Sequence, residues 1–144
     1  MACHLNKFLF ALFVIFTSVS LHAESYPVLN QGELDAYYSE VYAAIGKAEM
    51  NVQELQNIIG GGQELPTWNR KLELQNAMVQ LEVKKTLFAN FKNSEALRSP
   101  LVRQALLQVL NIPSISQSDL AELQTLVLEE KAKIRAASAP SSSQ

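Results

Sequence analysis

Residues 34–59, LDAYYSEVYAAIGKAEMNVQELQNII, carry apolar side chains at Leu34, Tyr38, Val41, Ile45, Ala48, Val52, Leu55 and Ile59, stepping alternately by four and three. That is a heptad seam held for nearly four repeats, and it predicts one long helix from about Glu33 to Ile59. Glu33 and Asp35 in the first turn suit the positive end of the helix dipole. Gly60-Gly61-Gly62 predicts where the helix stops, because glycine adopts the left-handed geometry of helix ends at little cost.

Downstream of the glycines, Pro66 predicts a second helix that starts at Thr67 or Trp68 and runs to about Asn93. Its apolar residues fall on two faces, Leu74, Met78, Leu81 and Phe88 on one and Leu72, Val79, Val83 and Leu87 on the other. A helix that is apolar on two sides is expected between neighbours. Helix one is therefore expected on the first face and the C-terminal helices on the second, with Trp68, Phe88 and Phe91 as large fillers. The glycine turn and the matched lengths favour an antiparallel hairpin within the chain. A homodimer through the helix-one seam is the alternative.

Ser94 and then Ser99-Pro100 are successive helix-start signals, proline being tolerated in a first turn. They predict a short helix from Pro100 to Asn111 that buries Val102, Leu106, Val109 and Leu110. Pro113 breaks the chain, and Ser116 with Asp119, Ser118 with Glu122 and Asp119 with Glu122 each offer a capping arrangement for the next start. A last helix is expected from Ser118 or Asp119 to Ala136, with Leu120, Leu123, Val127 and Ile134 inward. Glu129 and Lys133 are spaced as an i,i+4 ion pair. The fold class is thus all-α: a long antiparallel helical hairpin with two shorter helices packed alongside, a single helical domain over residues 32–137. The tail 138–144, SAPSSSQ, has nothing to bury and is predicted to be disordered.

Ahead of the hairpin, residues 1–23, MACHLNKFLFALFVIFTSVSLHA, set the basic Lys7 before an apolar run from Phe8 to Phe16. The run is too short to span a bilayer and reads as the core of a cleaved signal peptide, with Ala23 as the residue before the cut. Residues 24–31, ESYPVLNQ, follow as an extended leader marked by Pro27. Residues 1–23 hold the only cysteine, Cys3, and both histidines, His4 and His22. The mature chain is therefore expected to work without thiol or imidazole, which supply most nucleophiles, bases and soft metal ligands.

Removing the leader also removes Lys7, which takes the net charge from −2 to −3. A mildly acidic chain has no general affinity for nucleic acid. A chain without cysteine cannot be a disulfide scaffold, and no asparagine begins an Asn-x-Ser/Thr site. These features fit a bacterial periplasmic or secreted protein, with no membrane insertion after signal cleavage.

No nucleophile elbow Gly-x-Ser-x-Gly is present. Gly60-Gly61-Gly62 lacks the Gly-Lys-Ser/Thr of a phosphate loop, and no calcium-loop spacing occurs. Glu129 and Glu130 are neighbours on a helix and point about 100° apart, so they do not converge as an acid and base. The basic pairs Arg70-Lys71 and Lys84-Lys85 read as solvated helix faces. The chain is accordingly expected not to be an enzyme and to use no cofactor and no metal.

The remaining unusual feature is the cluster Tyr37, Tyr38 and Tyr42. Tyrosine suits places where a ring is half buried and its hydroxyl wet, such as protein interfaces and core edges. These three are the candidate protein-binding residues, and packing at the edge of the hairpin is the plainer alternative. The expected function is an exported, non-enzymatic protein-binding module of the bacterial envelope: an adaptor, an accessory subunit or a chaperone-like binder. The alternatives are a carrier or sensor of a small apolar ligand between helices, and a secreted effector or inhibitor acting on a foreign protein.

Overall fold

The computed structural model describes residues 26–61 and 68–138. The segment expected to be a signal peptide, most of the glycine turn and the end of the tail lie outside the described residues. Four α-helices occupy the described chain: α1 at Gln31–Gly60, α2 at Trp68–Phe91, α3 at Pro100–Leu110 and α4 at Gln117–Ser138, with a 3-10 turn at Glu95–Arg98 between α2 and α3. The fold is a small all-α bundle in which the antiparallel hairpin of α1 and α2 carries the two shorter helices.

The starts of α1, α3 and α4 are capped by the residues their sequence supplies. Asn30 Oδ1 accepts from Glu33 N at 2.8 Å, so α1 begins at Gln31. Ser99 caps α3, its Oγ accepting from Val102 N, with Pro100 in the first turn. At the start of α4, Asp119 Oδ2 accepts from Ser116 N at 2.8 Å while Ser116 Oγ accepts from Asp119 N at 3.1 Å. This reciprocal pair satisfies backbone donors that a helix start leaves free.

The helix ends differ from expectation in one respect. Gly61 closes α1 with φ −74°, in the right-handed region, so left-handed freedom is not why glycine stands there. A Cβ at Gly61 would lie 2.8 Å from the Asn57 carbonyl oxygen, and close approach is the reason instead. Among the described residues, Asn93, φ 66°, just past the end of α2, is left-handed. Asparagine is among the few residues that tolerate this geometry.

The core lies around the first half of α1. Val41, Val102, Leu106 and Leu110 are fully buried there, with Phe88, Leu97, Leu123 and Val127 packed around them. The inward set expected for α3 is buried in full, and Leu123, Val127 and Ile134 of α4 are buried with Leu120 half-buried. In α1 the buried set is Tyr37, Val41, Ala44, Ile45, Val52 and Leu55. Tyr37 and Ala44 lie outside the heptad seam, because a seam describes one neighbour and α1 has two: α2 along its length and α3 against its first half.

The second helix departs further from the expected sandwich. Val83 and Leu87 reach the core, but Leu72 and Val79 on the same face are exposed, as are Met78 and Trp68. None of the residues from 68 to 83 is buried. The reason is topological: α3 packs on α1 and lies near the Phe88 end of α2, so nothing among the described residues reaches the outer face of the Trp68 end. Trp68 is therefore not a core filler.

Two ionic expectations are also corrected. Lys133 Nζ pairs with Glu130 Oε1 at 3.2 Å and not with Glu129. Lys84 is buried and not on a solvated face. Its stem lies along the packed side of α2, one turn before Phe88, while its ammonium stays at the edge, as long cationic side chains do.

Candidate interaction surface

Tyr37, Tyr38 and Tyr42 are brought together at the meeting of α1 and α2, each with a different task. Tyr37 is 8% exposed, and its hydroxyl donates to the Arg103 carbonyl at 3.0 Å, tying α1 to α3. Burial pushes its hydroxyl well above the usual tyrosine range. Tyr38 is half-buried, stacks edge-on against Phe88 with ring centroids 5.4 Å apart, and accepts from Asn93 N at 3.1 Å. That hydrogen bond holds the backbone at the left-handed turn. Tyr42 is 51% exposed; its ring meets Phe88 at 5.3 Å and its hydroxyl accepts from Lys92 Nζ at 3.5 Å. Of the three rings, Tyr42 offers surface and the other two hold elements together.

The larger surface runs along α2. Trp68 is 77% exposed and Val79 53% exposed, and Leu72 and Met78 are exposed beside them. At 100° per residue, Trp68, Leu72, Val79 and Thr86 lie within a narrow arc, opposite the arc of Lys84 and Phe88 that faces the core. Met78, Val79, Glu82, Val83 and Thr86 line a shallow open depression of ≈ 380 Å³ whose walls are almost wholly apolar. Lys71 and Glu82 flank the arc on one side, both exposed. Neither forms an ion pair among the described residues. Sequence periodicity had placed Leu72 and Val79 on an apolar face; what it could not supply was that the face stays open.

A third feature is polar and inward. Glu130 on α4 is 1% exposed, and its Oε2 accepts from Tyr26 Oη at 2.9 Å and from Ser99 Oγ at 3.1 Å. Lys133 completes the set at Oε1. Ser99 is fully buried and engaged as a helix cap, so this cluster joins segments and exposes no nucleophile.

Among the described residues no group of His, Cys, Asp and Glu is placed to hold a metal ion, and no helix is long and apolar enough to cross a membrane. No family model matches the chain, and no curated protein or solved structure matches it either.

Proposed function

We propose that this chain is an exported, non-enzymatic protein-binding module of the bacterial envelope that docks through the open face of α2. The observation that carries the proposal is the exposure of Trp68, Leu72, Met78 and Val79 together on one side of a helix whose other side is in the core. Contiguous apolar surface of this kind marks contact sites, and tryptophan is among the residues that dominate binding energy at interfaces. Covering a Leu or Val side chain contributes about 1.5–3 kcal/mol. The depression beside Val79 is shallow and open, a shape suited to a side chain from a macromolecule more than to an enclosed small ligand. Export rests on the short apolar run from Phe8 to Phe16 behind Lys7. The non-enzymatic reading rests on a mature sequence without cysteine or histidine.

A photo-crosslinking residue at Val79, expressed in intact cells, tests this. The same residue at the exposed Glu129 of α4 is the control. Protein adducts from position 79 and none from 129 are expected; a face that yields no adduct in cells is not a docking surface.

A further inference from the structure

The partner of the α2 face can be named by its charge pattern; this rests on the docking reading above. We propose that α2 pairs with the same helix of a second copy, antiparallel, about a two-fold axis passing between Asn76 and Ala77.

The argument starts from Lys71 and Glu82. They lie on the same flank of the exposed stripe, eleven positions apart, which is three turns or about 16 Å of rise. Both are exposed, and neither has an ion-pair partner among the described residues. When two identical helices pair in parallel, a two-fold axis along them sets opposite flanks against each other and equal residue numbers at equal height. Lys71 and Glu82 of the two copies then stay apart. When they pair antiparallel, the axis is perpendicular to the helices and equal flanks meet. Lys71 then lies level with Glu82 of the second copy wherever the two residue numbers mirror about 76.5. The symmetry produces that pair twice, as an isologous contact does.

The same register fills the apolar stripe. Leu72 comes level with residue 81 of the second copy, where Val79 and Val83 flank that height on the open side, and rests in the depression they line, while Gln75 and Met78 come level near the axis. Trp68 comes level with residue 85 of the second copy, beside Thr86, which stands on the same open arc. Opposite charges beside an apolar stripe also set orientation, because the parallel alternative leaves them unused. The helix-one seam is filled within the chain by α2, so it is not available for this role.

Sedimentation equilibrium on the purified mature chain, across a dilution series, reads the association. A reversible dimer is expected. Lys71→Glu alone and Glu82→Lys alone each set like charges together twice and raise the dimer dissociation constant about tenfold, while the K71E/E82K double variant restores wild-type association. All three substitutions lie on the surface, and unchanged helix content by circular dichroism confirms that the fold is kept. A wild-type chain that stays monomeric overturns self-pairing, as does a double variant no tighter than the singles. The in-cell crosslink at Val79 separates the two proposals: adducts only to a different protein overturn self-pairing and leave the docking face standing, whereas no adduct of any kind removes both.

Discussion

Ser99 Oγ donates to Glu130 Oε2 at 3.1 Å, joining the cap of α3 to the middle of α4 while the same oxygen accepts from Val102 N. The hydroxyl thus serves a helix start and a buried carboxylate together, and Tyr26 brings the chain ahead of α1 to the same oxygen. Removing the carboxylate leaves two hydroxyls without their acceptor. Glu130→Ala is expected to cost about 3 kcal/mol and Ser99→Ala about 2 kcal/mol, read by urea denaturation. Equal midpoints for wild type and Glu130→Ala would show that the cluster does not hold the helices together.

Tyr26 makes the alkaline limb of stability informative. Burial, with the hydrogen bond to Glu130 and its charge, pushes the Tyr26 hydroxyl from 10.0 up to about 12. Between those values the folded chain keeps a proton that the unfolded chain has lost. This contribution is therefore present in full below pH 10 and declines as the pH climbs toward 12. Tyr37 is raised as well but is common to both proteins, so comparing wild type with Tyr26→Phe isolates Tyr26. The variant is expected to be about 1 kcal/mol less stable at neutral pH and to lose stability less steeply in the alkaline window. Parallel curves would assign the alkaline loss to other groups.

Lys84 places a charge on the packed side of α2, and burial pulls its ammonium below the usual lysine range. Lys84→Met keeps the length of the stem and removes the cost of desolvating the charge. Thermal melting at pH 7 is expected to show a gain of about 1 kcal/mol. A clear loss would mean that the ammonium makes a favourable contact at the edge.

Cleavage of the leader is tested by the intact mass of the protein purified from its native source. The signal reading places the first residue at Glu24. A mass that includes residues 1–23 would contradict cleavage.

Local patterns foretold most of this fold. The buried set of α3 follows from apolar spacing in eleven residues, and the reciprocal bonds of Ser116 and Asp119 follow from a spacing of three, since both are settled within one or two turns. Tyr37 and Ala44 escaped because their burial requires α3, more than fifty residues away. Glu130 escaped for the same reason, although a signal was present: Leu123, Val127, Glu130 and Ile134 step by four, three and four, which sets the carboxylate on the apolar stripe. Lys84 carries a similar signal, four residues before Phe88 and three after Leu81. The open face of α2 was legible as apolar and illegible as open, because periodicity states that a stripe wants cover and not which element arrives.

Trp68, the only tryptophan of the chain, stands on that face and reports directly on whether it is covered. Acrylamide quenching of its fluorescence, followed from dilute to concentrated protein, is the most direct measurement of the central claim. The docking account predicts a ring freely quenched at low concentration, with emission typical of water, that becomes shielded and blue-shifted as the partner chain occupies α2. A Trp68 already shielded in the dilute monomer, or one equally quenchable at every concentration and in the crosslinked complex, would contradict it.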